Sequence, residues 1–153
     1  MKSKLKIVSG GQTGADRTAL DWAMAHQVPH GGWCPKGRLA EDGSIPERYL
    51  LQETPSADSR QRTEWNVRDS DGTVILSIGS HLSGGSELTL LFAQELGKPV
   101  LHLSKSNANS PGLSLAQLVS QNKIQILNIA GPKSSDEPQV SGFVQEVLTE
   151  TFL

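Results

Sequence analysis

The chain has 153 residues, with 14 Lys and Arg against 16 Asp and Glu, a formal net charge of −2 and 36% hydrophobic side chains. That length holds one buried core and predicts a single domain over residues 1–153, and the charge balance offers no basic stripe for general nucleic-acid binding. The one cysteine, Cys34, excludes an intrachain disulfide and a cysteine-rich metal site, and the apolar run behind the basic start stops at Gly10, too short for a signal peptide or a membrane span, so a soluble cytoplasmic protein is expected.

Residues 5–9 read as a short buried strand ended by glycine. The turn Ser9-Gly10-Gly11-Gln12-Thr13-Gly14-Ala15-Asp16 then leads into a helix over 16–27, with Leu20, Ala23, Met24 and Gln27 on one face. Strand, glycine turn and helix N-terminus together present free N–H groups and the positive end of a helix dipole to an anion. Gly10, Gly11 and Gly14 leave room beside the backbone, Gln12 and Thr13 add polar side chains, and Asp16 serves equally as a helix cap or a ligand contact.

Two familiar phosphate motifs are absent. Ser9 stands where G-x-G-x-x-G has its first glycine, and Trp33-Cys34-Pro35 stands where that motif's second strand ends in an acidic residue. No lysine follows Gly14, as G-x-x-x-x-G-K-[ST] requires. A mononucleotide-like or phosphorylated small ligand fits better than a dinucleotide or a hydrolysed triphosphate.

Residues 30–34 form a weak strand candidate, followed by a polar insert in which Lys36 and Arg38 stand just past the strand's C-terminal end. Ligands of open α/β sheets bind at that edge, so these cations are candidate phosphate partners. Residues 50–55 read as a short strand or an irregular edge. Residues 58–69 read as a polar helix carrying Arg62, Glu64, Trp65, Asn66 and Asp69; the spacing puts Arg62, Asn66 and Asp69 on one face, within reach of a ligand.

Asp71-Gly72 marks a turn, and residues 73–78 (Thr-Val-Ile-Leu-Ser-Ile) form the clearest buried strand. Ser83-Gly84-Gly85-Ser86-Glu87 then opens a helix to Leu96, stopped by Gly97 and Pro99. A second strand–glycine turn–helix unit thus repeats the first, and the two turns are expected to meet across a crevice between adjacent strands. A strand at 99–103, a helix at 113–121, a last strand at 124–129 whose alternation suits a sheet edge, and an amphipathic helix from Val140 complete the chain. Strands alternating with helices predict an α/β, Rossmann-like three-layer sandwich: a mostly parallel sheet with helices on both faces. The histidines at 26, 30, 81 and 102 are scattered and show no metal-ligand spacing.

Gly10-Gly11-Gln12-Thr13-Gly14-Ala15-Asp16, Gly32-Trp33-Cys34-Pro35-Lys36-Gly37-Arg38, the stretch Arg62-Thr63-Glu64-Trp65-Asn66-Val67-Arg68-Asp69-Ser70-Asp71-Gly72 and Ser83-Gly84-Gly85-Ser86 together resemble the molybdenum carrier family, a circularly permuted YpsA-like branch of the SLOG superfamily. The resemblance spans roughly the first two thirds of the chain. It implies a Rossmann-like fold, a phosphorylated ligand at the glycine turns (a nucleotide, or molybdenum cofactor, which is a pterin with a phosphate) and assembly as a homo-dimer or tetramer.

The Lonely-guy phosphoribohydrolases share the superfamily and use P-G-G-x-G-T-x-x-E. Here Ser83-Gly84-Gly85-Ser86-Glu87 keeps the paired glycines, with Glu87 in place of the third glycine and Leu91 in place of the catalytic Glu. The leading expectation is therefore a binding or carrier protein. Its site is Gly10–Gly14 with Asp16, Lys36, Arg38, Arg62, Asn66, Asp69 and Asp71, and Ser83 to Ser86. The alternatives are an N-glycosidic hydrolase of nucleoside 5′-monophosphates with Glu64 or Glu87 assisting, and a nucleotide-sensing subunit.

Overall fold

The computed structural model describes residues 4–153. The chain runs β1 (Lys6–Val8), α1 (Ala15–Ala25), β2 (His30–Gly31), β3 (Trp33–Cys34), β4 (Leu39–Ala40), β5 (Gly43–Ser44), β6 (Gln52–Glu53), α2 (Ser59–Arg68), β7 (Gly72–Ser77), α3 (Gly84–Glu95), β8 (Val100–Ser104), α4 (Pro111–Gln121), β9 (Ile126–Ala130) and α5 (Val140–Phe152). The main sheet has the order β2-β1-β9-β7-β8 with every pair parallel. The fold is α/β and Rossmann-like, as the alternation of elements predicts.

Parallel strands covered on both faces read as continuous apolar runs, and β7 is buried at all six positions. Alternate residues face opposite layers. Ile7, Val74, Leu76, Leu127 and Ile129 join α1, α4 and α5 in the larger core, which also takes Trp22, Leu115, Phe143, Val144 and Leu148. Helices α2 and α3 pack against each other over the opposite face, where Thr73, Ile75, Ser77 and Asn128 are buried.

Two expectations change. The last strand is not an edge: β9 pairs with β1 on one side and β7 on the other. Its polar Asn128 is 3% exposed and its side-chain amide donates to Thr73 Oγ1 at 3.2 Å. A buried polar pair between central strands gives the same alternating pattern as a solvent-facing edge. The second change follows from the first. The glycine turns after β1 and β7 do not top adjacent strands, because β9 stands between them.

The weak strand at 30–34 divides at Gly32, whose φ is +127° and where a Cβ would lie 2.3 Å from the Ser9 carbonyl oxygen. Only glycine allows that approach. Past it the chain leaves the main sheet, and Trp33-Cys34 pairs with Gln52-Glu53 in a small parallel sheet. The polar insert between them folds over its own small core of Leu20, Cys34, Ile45 and Tyr49.

The Arg38 guanidinium organises this insert. It donates to the carbonyls of Ile45, Pro46, Tyr49 and Leu51 at 2.9–3.4 Å. Arg48 stacks on Tyr49 at 4.5 Å, and the Tyr49 hydroxyl donates to Asp21 at 2.6 Å.

Candidate functional site

A cleft of about 330 Å³ lies at the C-terminal edge of the sheet, above β1, β9 and β7. The strand order explains its position. The β1–α1–β2 connection runs to one side of β9, and the β7–α3–β8 connection runs to the other. That divergence is a topological switch point, the place where open α/β sheets leave a crevice. Gly10, Gln12 and Asp16 form one wall, residues 81–86 with Thr89 form the opposite one, and residues 128–133 with Asp136 and Glu137 form the floor. From above, α2 contributes Ser59, Arg62, Thr63 and Asn66.

The two glycine turns meet this cleft in different states. At the first, most of the α1 N-terminal amides are already used. Ala15 N donates to the Pro132 carbonyl at 3.1 Å, Arg17 N to the Gln12 carbonyl at 3.0 Å and Thr18 N to the Gly14 carbonyl at 3.0 Å. Gly14 lies at φ +81°, where a Cβ would be 2.5 Å from the Pro132 oxygen. The turn is also tied from outside: Thr13 Oγ1 donates to Glu41 and accepts from Ser134 N, Gln12 Oε1 accepts from Glu41 N at 2.9 Å, and Arg17 pairs with Asp42 at 2.6 Å. Hydrogen bonds from Ser135 and Thr13 hold the Glu41 carboxyl below the usual range, and Arg17 does the same for Asp42.

Asp16 is the internal anion of this wall. It is 8% exposed and lines the cleft. Burial pushes its carboxyl up to about 6, against the opposing pull of the Arg62 guanidinium, the amides of Gln12 and Gly10, and Arg17. Arg62 Nη1 itself donates to the Gly10 carbonyl at 2.8 Å.

At the second turn the backbone is open. Gly84 and Gly85 are exposed, and a Cβ added at either would meet nothing within 4 Å. The N-cap, Ser83, makes no side-chain capping bond. Among the described residues no group accepts from the N–H of Gly84, Gly85 or Ser86. These are the orphan donors of a 12-residue helix, and they face the cleft. Arg62 and Lys133 line the same space, and neither belongs to the ion pairs formed among the described residues.

The cleft therefore gathers Gly10, Gln12, Asp16, Arg62, Asn66, Ser83, Gly84, Gly85 and Ser86. Asn66 holds the Trp33 backbone in both directions, accepting from its N at 2.8 Å and donating to its O at 2.9 Å. Thr13 lies behind the wall in the Glu41 network.

Gly11 and Gly14 do not line the cleft either, their Cα positions facing Leu51 and the Pro132 carbonyl, and four other candidates stand elsewhere. Lys36 is exposed on the insert. Arg38 is committed to the four insert carbonyls. Asp69 accepts from Trp33 Nε1 and Arg68, which keep its carboxyl below the usual range. Asp71 accepts the backbone N–H groups of Gln125 and Ile126 at 3.0 and 2.9 Å, joining the start of β9 to β7.

Trp65 packs edge-on against Trp33 at 4.8 Å, with the Arg68 guanidinium 4.3 Å over its ring. Neither Glu64 nor Glu87 lines the cleft, so the two carboxylates expected to assist hydrolysis stand outside it. Lys133, Asp136 and Glu137 do line it, in a segment whose sequence reads only as a loop. A central position for β9 is the signal that would have marked them, because its C-terminal end feeds the switch point. Glu137 accepts the N–H groups of Ile78 and Gly79 at 2.7 and 2.9 Å, closing the end of β7.

The circularly permutated YpsA SLOG family model matches residues 7–152, nearly the whole chain and the whole cleft. The chain belongs to that family. A crystal structure described as "Putative molybdenum carrier protein" from Syntrophus aciditrophicus SB superposes on this SLOG chain with a TM-score of 0.92. It is 47% identical, over 100% of this chain and 98% of that one. No curated protein matches. The family resemblance carried by the first two thirds of the sequence thus extends through the last third, including the floor of the cleft.

Proposed function

We propose that this SLOG protein binds a phosphorylated small molecule in the cleft, with the phosphate on the N-terminus of α3. The observation that carries the reading is the open amide set of Gly84, Gly85 and Ser86 beside two cations, Arg62 and Lys133, that have no ion-pair partner among the described residues. Charge-assisted hydrogen bonds of this kind are each worth about 1.5–3 kcal/mol, so a few retain a ligand without covalent chemistry. The 47% identical neighbour is described as a molybdenum carrier, and molybdenum cofactor, a phosphorylated pterin, is one ligand that suits both that description and a phosphate site. A nucleotide satisfies the same phosphate chemistry.

Native mass spectrometry of gently purified protein, followed by denaturing extraction, tests the proposal. A co-purifying phosphorylated pterin or nucleotide, lost in Arg62→Ala, is the expected result. An empty protein that gains no thermal stability from a panel of nucleotides and pterins overturns it.

A further inference from the structure

The cleft has two poles of opposite charge. One is the α3 N-terminus with its free amides. The other is Asp16, a residue nine-tenths buried that lines the cleft, whose carboxylate is supported by the amides of Gln12 and Gly10 and receives no hydrogen bond from any side chain among the described residues. The turns that carry the two poles follow β1 and β7, with β9 between them. They are therefore about 10 Å apart, two strand spacings. A phosphate placed against Asp16 meets like charge at a turn whose amides are largely used, whereas one at α3 meets the free N–H groups of Gly84, Gly85 and Ser86, with the Glu137 carboxylate of the floor already held by Ile78 and Gly79 N–H. A ligand that fills both poles is anionic at one end and offers N–H donors at the other.

A single amine would satisfy one lobe of a carboxylate. Two adjacent, coplanar N–H groups satisfy both oxygens in the parallel two-bond geometry that gives charge-assisted pairs their specificity. Resting on the proposed phosphate site, we infer that Asp16 selects the ligand by its ring edge. The edge chosen is a 2-amino-4-oxopyrimidine, which presents a ring N–H beside an amino group. Guanine and pterin share this edge. Adenine does not: it places a ring nitrogen lone pair beside its amino group, and that lone pair faces the carboxylate oxygens. Arg62, held by the Gly10 carbonyl beside Asp16, opposes the effect of burial and favours the charged form that accepts both bonds.

The test is calorimetric titration of the full chain with GMP, IMP, AMP and neopterin monophosphate, repeated in Asp16→Asn. The wild-type protein is expected to bind GMP or the pterin at least about tenfold more tightly than AMP, with IMP, which lacks the amino group, between them. Asp16→Asn replaces one acceptor with a donor and is expected to reduce that preference to about threefold or less while AMP still binds. Binding of the pterin alone assigns the site to pterins; binding of GMP as well extends it to guanine nucleotides. Equal affinity for GMP, the pterin and AMP, or a preference that survives Asp16→Asn, overturns the inference and leaves the phosphate reading standing. No binding of any of the four overturns both.

Discussion

The two glycine turns share a sequence grammar and differ in what their glycines are for. In the first, glycine makes room for protein. Gly11 and Gly14 take positive φ, a Cβ at Gly11 would lie 2.6 Å from Leu51, and one at Gly14 would lie 2.5 Å from the Pro132 oxygen. In the second, Gly84 also takes positive φ, but a Cβ on Gly84 or Gly85 would meet nothing within 4 Å, so the space beside the backbone stays open. Glycine after a strand signals close approach, but the sequence does not say whether the approaching group is protein or ligand.

The largest expected effect comes from Gly14→Ala. The new Cβ meets backbone oxygen rather than a flexible side chain, and the residue sits at φ +81°. Both terms act together, and a loss of about 3 kcal/mol or more is expected in urea denaturation. A loss under about 1 kcal/mol would show that the loop after β9 yields to the first turn, and the contrast between the turns would weaken.

The next effect separates a structural cation from a ligand cation. Arg38→Ala removes four carbonyl contacts at the centre of the insert, with an expected cost of about 2–3 kcal/mol in stability. Ligand affinity is expected to stay within about twofold, since Arg38 does not line the cleft. Arg62→Ala provides the reverse pattern, a modest stability change with affinity lost.

Arg38 also shows where sequence reading runs out. Its position past a strand end suited a phosphate partner, and nothing local revealed that the insert would fold back and present four carbonyls to it. The alternation of strands and helices, the strong β7 run and the two turns were legible, because they depend on periodicity and glycine placement within a few residues. Lys133 and Glu137 were not. Their role depends on β9 inserting between β1 and β7, a long-range pairing disguised by Asn128, whose polar side chain is satisfied by Thr73 inside the sheet.

Asp16 gives a pH signature of the closed turn. Its folded carboxyl stands at about 6 against an ordinary 3.8, raised mainly by burial. A raised folded value means that the folded state binds the proton more tightly. The contribution to stability is therefore full below about pH 4 and is lost as pH rises through about 6. Asp16→Asn removes this titration. Without ligand, the variant is expected to match the wild type below about pH 4 and to exceed it by about 2–3 kcal/mol at pH 8, read by denaturant midpoints across that range. A constant difference at every pH would mean that Arg62 and the turn amides compensate the buried charge fully.

The smallest expected effect in stability is at Gly85, and it sharpens the contrast most. Gly85 lies in the first turn of α3 with open space around its Cα. Alanine there removes a helix-entropy cost, so Gly85→Ala is expected to leave stability unchanged or raise it by at most about 1 kcal/mol. The same methyl group occupies the space over the free amides, and phosphorylated ligands are expected to bind at least about tenfold more weakly. Stability and affinity moving in opposite directions identify a glycine kept for access. If both stay unchanged, the α3 N-terminus is not where the phosphate sits, and the cations Arg62 and Lys133 must hold it nearer the floor of the cleft.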